Sequence, residues 1–317
     1  MFNNPPSVPT RTFFLTRDTT NQAVPGGLPN NEVRIKFAMD QAFYNCEVSL
    51  NKAYLYYSWY NVTSKLGNTN FSISIPTDNL NPPTRVAYSI TLPDGIYEYT
   101  DINKYLENFL HSNGFYFENS TTGEIIYPVQ IFLDTIQYKI SIKTYALNGT
   151  GLPNGGTGWT WAGSPLPSIA YHPMFTIPTP SNPDAAAGGN NPQYTSISRM
   201  LGIPPGSYPP NTYNTTPIYT VASTYAPQIT IQNMILFNCN LANDINSGQY
   251  SHCIGQFKPE GSSGQLLTFM DQQPTWHPIT DGMYPYIDVT IVDDHNQPYV
   301  IQDPIFGVVL QVRQRRS

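Results

Sequence analysis

The chain has 317 residues, of which 40% are hydrophobic and 13% aromatic, and this apolar content excludes a disordered chain. Its net charge of -6 excludes a binder that coats nucleic acid through its whole surface, because counterion release requires clustered Lys and Arg. Only 11% of residues are charged, less than half the roughly 25% of ordinary soluble domains, and the chain carries 30 Pro and 23 Tyr; such faces suit burial against partners more than life as a free enzyme.

Residues 1–30 hold Pro5, Pro6, Pro9, Pro25 and Pro29 with Gly26 and Gly27 and show no periodicity, so they read as an extended N-terminal arm. From Glu32 the pattern changes to period two, with Val33, Ile35 and Phe37 on one face, followed by the apolar run VSLNKAYLYYSWYNV. FSISI at 71–75 and TRVAYSITL at 84–92 complete four predicted strands broken by Pro, Asn and Gly turns. The next stretch differs in kind. Ile102, Tyr105, Leu106, Phe109 and Leu110 fall at i, i+3, i+4, i+7 and i+8, which predicts one amphipathic helix near 101–111, capped by Thr100 or Asp101 and ended by Asn113-Gly114.

YPVQIFLD and QYKISIKTYAL predict two further strands. Residues 148–194 are rich in Gly, Pro, Asn, Ser and Ala and predict long loops, and SISRMLG at 196–202 predicts one or two helical turns stopped by Gly202 and Pro204-Pro205. The C-terminal third returns to strands in TPIYTVAST, PQITIQNMILFNCNL, GQLLTFM, MYPYIDVTIVDD and IFGVVLQVRQ. Many antiparallel strands, one clear helix and no βαβ rhythm define the expected fold as all-β: a single jelly roll, an antiparallel two-sheet sandwich, with a mixed α/β insertion. The jelly roll is assigned to 31–92 and 226–317, and the insertion to 93–225.

Chemistry-bearing patterns are sparse. The sequence has no Gly-x-Ser-x-Gly elbow, P-loop, His-Glu-x-x-His or dinucleotide fingerprint, and no paired-carboxylate cleft is apparent for a hydrolase. The acidic stretch Asp288, Asp293, Asp294 and His295 has donors for a divalent cation, yet 293–298 is also a natural hairpin turn, and the turn is the reading adopted. His252 and Cys253 are adjacent and on a strand point to opposite faces. Trp159, Trp161 and Trp276 suit either a sugar-stacking surface, as in a carbohydrate-binding or host-attachment sandwich, or core and interface packing; packing is adopted. Cys46, Cys239 and Cys253 have no ligand spacing, their odd number rules out a complete disulfide framework, and they read as reduced core residues. Five N-x-S/T matches, at Asn61, Asn70, Asn119, Asn148 and Asn214, are expected by chance in this composition. No secretory leader and no membrane span are expected. No catalytic, cofactor-binding or metal residue is assigned. Arg313, Arg315 and Arg316 crowd the last five residues, where they would make at most a weak contact with a genome or an acidic partner.

Three stretches occur in fixed order: ITLPDGIYEYTDINKYLENFL, a strand running into Pro-Asp-Gly and a helix; ISRMLGIPPGSYP, a Leu-Gly unit followed by Pro-Gly and Tyr; and YIDVTIVDDHNQPYVIQDPIFGVVLQVRQ, a terminal hairpin. In this order and spacing, over about 85–315, the chain resembles the penton, or minor capsid, family of virophages and polinton-like viruses. The resemblance implies a single jelly roll assembled as a homopentamer at the fivefold vertices of an icosahedral virion. The shell faces would be a larger double-jelly-roll major capsid protein, with other minor capsid proteins as further partners. It also implies a structural protein rather than an enzyme, without cofactors, assembled in the host cytoplasm.

Overall fold

The computed structural model describes residues 10–17, 30–64, 66–78, 80, 82–162, 169–179, 197–210, 216–229, 234–243, 252–294, 296–303 and 305–315. In chain order these form β1 (Thr10–Arg17), β2 (Glu32–Phe43), β3 (Cys46–Tyr56), β4 (Asn70–Pro76), β5 (Arg85–Thr91), α1 (Tyr99–Ser112), β6 (Phe117–Asn119), β7 (Ile125–Ile126), β8 (Val129–Asp134) and β9 (Lys139–Tyr145). There follow β10 (Trp159–Trp161), β11 (Met174–Ile177), α2 (Ile197–Leu201), β12 (Gly206–Tyr208), β13 (Ile218–Ala222), β14 (Ile235–Cys239), β15 (Cys253–Phe257), β16 (Leu266–Met270), β17 (His277–Pro278), β18 (Gly282–Val292) and β19 (Phe306–Gln314). The chain divides into two compact units, residues 1–60 with 232–317 and residues 61–231.

The first unit is a jelly roll. Leaving aside the two-residue β17, its sheets run β1-β19-β3-β16 and β15-β14-β18-β2, antiparallel throughout. Numbered along the chain, these are strands 1-8-3-6 and 5-4-7-2, the order that results when a long hairpin rolls into two facing sheets. Period-two alternation points one row of each strand inward. Leu15, Leu50, Leu55, Val308 and Leu310 from one sheet meet Val33, Phe237, Ile287, Val289 and Ile291 from the other in one buried core. Within β18, Pro285 falls where the register against β2 shifts between Tyr284 and Tyr286, because proline has no N–H for the ladder.

The second unit has its own core, built by α1 and three small sheets ordered β12-β11-β4-β5, β10-β6-β7 and β13-β9-β8. In α1, Tyr99, Ile102, Leu106 and Leu110 are buried, as the predicted spacing requires. The helix opens two residues earlier than expected, capped by Glu98, whose backbone N–H donates to Asp101 Oδ2 at 2.9 Å. Gly114, at φ +70°, ends it as expected. Asn103 on α1 reaches the edge strand β8 and accepts the Ile131 N–H at 2.7 Å.

Three expectations are corrected. The extended arm is not wholly outside the core: Thr10–Arg17 is a jelly-roll strand paired along its length with β19, because Phe13, Leu15 and Arg17 alternate inward despite the flanking prolines. The expectation for 1–9 and 18–29 lies outside the described residues. The boundary before the insertion falls at 61 rather than 93, since β4 pairs with β5 and β11, and neither β4 nor β5 pairs with any jelly-roll strand. Residues 148–194 are not all loop, for β10 and β11 form there by pairing with β6 and β4. Local composition hid both strands, since their pairing partners lie far away in the chain.

Candidate functional site

The acidic hairpin is a turn. Asp293 is buried, its Oδ1 accepts the Gln297 N–H at 2.8 Å and its carbonyl accepts the Asn296 N–H at 2.9 Å, while Asn296 takes a φ of +59°. Asp288 lies on the outer face of β18, where Arg34 donates to both its oxygens, at 2.5 and 2.8 Å, and also to Glu32 at 3.1 Å, with its guanidinium over the Tyr286 ring. That guanidinium draws its high pKa chiefly from the bond to Asp288. Among the described residues no three His, Cys, Asp or Glu side chains gather as a metal set, and His295 lies outside them. His252 Nδ1 is 2.6 Å from the Ala242 carbonyl, and the Cys253 thiol donates to the Gly255 carbonyl.

The tryptophans are taken up by packing. Trp159 is buried in the second unit's core, and Trp161 meets Phe117 edge-on with ring centres 4.9 Å apart. Trp276 lies beneath the Arg313 guanidinium at 3.8 Å. No exposed platform of two tryptophans is left for a sugar. All three cysteines are free, but only Cys239 is fully buried, and burial pushes its thiol up to about 12; Cys46 and Cys253 are half-buried.

Two of the three C-terminal arginines, Arg313 and Arg315, are bound within the chain. Arg313, inside β19, pairs with Glu47, and Arg315 donates to the carbonyls of Cys46 and Ile279 at 3.2 and 3.3 Å. Arg316 lies outside the described residues. Beside them, at one end of the sandwich, is a cavity of about 270 Å³ lined by Arg11, Ala42, Phe43, Tyr44, Cys46, Val312, Arg313 and Gln314. Arg11 enters it from β1, opposite Val312 in the register. The β2–β3 turn that forms its floor is held in place: Asn45, at φ +50°, donates its N–H to Asp281 Oδ1 at 2.7 Å and accepts the Arg315 N–H at 2.8 Å. Sequence reasoning missed Arg11 by assigning its segment to the arm. The signal that could have found it is the alternation of TRTFFLTR itself.

In the second unit His172 is a fully buried titratable group. Its Nε2 faces the Thr216 carbonyl, which fixes that nitrogen as the donor, and Nδ1 then accepts from Thr144 Oγ1 at 2.9 Å. Burial holds the imidazole below its ordinary pKa, and the Arg85 guanidinium, which donates to the His172 carbonyl, acts in the same direction.

The molecule is therefore, by class, a single jelly-roll protein interrupted between its third and fourth core strands by a separately cored insertion. No family model matches the chain, and no curated protein matches it. Among solved structures, it is similar to the penton protein of mavirus over 97% of this chain and 100% of that one, at 10% identity and a TM-score of 0.42. It is also similar to a chain of the Sputnik virophage over 96% of this chain and 98% of that one, at 12% identity and a TM-score of 0.39.

Proposed function

We propose that this protein is a structural capsid subunit that assembles as a homopentamer at the vertices of an icosahedral, virophage-like particle, acting through its surfaces rather than through catalysis. The observation that carries this reading is the part the three resemblance-bearing stretches play in the fold. The first supplies the end of β5, its turn and most of α1, the second supplies α2 and β12, and the Tyr99 hydroxyl of the first donates to the Met200 carbonyl of the second at 3.2 Å, inside one core. The third forms β18 and β19, each an inner strand of its jelly-roll sheet.

A ring of five needs two different complementary patches per subunit, and a weakly charged, tyrosine-rich surface lowers the desolvation cost of burying both. The further partners of this reading are a double-jelly-roll shell protein and other minor capsid proteins. Genome contact through Arg313 and Arg315 would first have to break the bonds these side chains make within the chain, so the proposal rests on protein partners. Among the described residues no helix is long and apolar enough to cross a membrane.

The test is the mass of the purified chain by light scattering, with negative-stain imaging of the same sample. A ring at five times the 35.5 kDa protomer mass is expected. A species that stays monomeric at high concentration, and is also not taken up into particles with the shell protein, would refute the reading.

A further inference from the structure

The described arginines other than Arg11 all have acceptors within the chain. Arg17 donates to the Glu32 carbonyl and Asn30, Arg34 to Asp288, Arg85 to the His172 carbonyl and Arg199 to Gln228; Arg313 pairs with Glu47, and Arg315 holds two carbonyls. The Arg11 side chain alone has neither a hydrogen bond nor an ion pair among the described residues, and it is exposed at the wall of the 270 Å³ cavity. A guanidinium presents a planar fork of donors whose best match is an oxyanion.

We infer that this cavity docks a carboxylate-bearing segment of a protein partner, with Arg11 taking the carboxylate and the exposed Ala42 on the facing wall taking an apolar neighbour of it. The volume lies just below the roughly 300–1,000 Å³ of drug-sized sites, which fits one or two side chains. The clamped Asn45 turn keeps the floor preformed, which lowers the ordering cost of binding. Charge complementarity favours protein over nucleic acid. Among the described residues only one guanidinium is uncommitted, Glu47 and Asp281 stand close by, and a polyphosphate strand needs several free cations. Acidic proteins, including further copies of this chain with 21 acidic against 15 basic residues, carry carboxylates in excess. The inference stands on the cavity and does not require the vertex reading.

The experiment titrates the full chain with N-acetyl-phenylalanine, which carries a carboxylate and an apolar ring, and with its uncharged carboxamide, following binding by NMR. The acid is expected to bind in the millimolar range and the amide at least about tenfold more weakly, the loss of one charge-assisted bidentate contact. Arg11→Gln, at an exposed position, should erase that difference. Ala42→Asp, which supplies a carboxylate from within the chain, should block the acid while Arg11 remains. Equal binding of acid and amide, undiminished binding by Arg11→Gln, or no binding of the acid at 10 mM would each overturn the inference. So would tighter binding of inorganic phosphate or of a short oligothymidylate, which would mark a phosphate site instead.

Discussion

The jelly roll and the insertion solve the same problem with different means. The jelly roll uses long strands, 12 residues in β2 and 11 in β3 and β18, so its backbone groups are satisfied by continuous ladders around an aliphatic and aromatic interior. Among the described residues no insertion strand exceeds seven residues, and the gaps between ladders are closed by buried side chains. Asn61 donates to the carbonyls of Tyr97 and Ile229 and accepts the Tyr97 N–H, while His172 bridges Thr144 and Thr216. Regular pairing makes stability depend on apolar volume, whereas fragmentary pairing makes it depend on individual polar groups and backbone shapes.

The largest expected effect tests the first half of that contrast. Phe237→Ala empties a fully buried site between the sheets and should cost about 3–5 kcal/mol, read by denaturant unfolding, with hydrogen exchange accelerated in β14, β15 and β18. Gly202→Ala tests the second half. Gly202 has φ +68°, and an added Cβ would lie 2.4 Å from the Tyr225 carbonyl oxygen, so a loss of about 2–4 kcal/mol is expected. Gly264→Ala in the jelly roll, at φ +83° with open space around it, should cost no more than about 1–2 kcal/mol in the same assay. If the two alanines cost the same, close backbone approach is not what holds Gly202 in the insertion.

The smallest effect is a dependence on pH. Because His172 is held neutral when folded, with a folded pKa below the ordinary value of about 6.5, its contribution is fully present above that value and is lost as pH falls from there toward the folded pKa. Thermal melts between pH 7.5 and 5 should therefore show the insertion weakening on acidification. His172→Gln should flatten the trend, and an unchanged slope in that variant would remove His172 as its source.

Much of this was legible in the sequence. Alternation in β2, β4, β18 and β19, and the helical spacing of Ile102, Leu106 and Leu110, record burial directly, since a side chain's face is set by local geometry. The turn at Asp293 was legible because Asx chemistry is local. What was not legible is pairing at a distance. Nothing near Thr10 announces that its strand lies beside residues 306–313, and nothing near Phe71 says that β4 joins β11 rather than a jelly-roll sheet. The cavity beside Arg11 belongs to the same class, because its walls come from both ends of the chain.

The side-chain oxygen of Asn103 closes a gap of another sort. An outermost strand with a bare N–H invites a strand from a second molecule, the route by which β proteins form disordered aggregates. At Ile131 that donor is already spent on the neighbouring helix. The insertion thereby loses one point for indiscriminate backbone annealing, and encounters at that edge are left to side chains, which discriminate between partners.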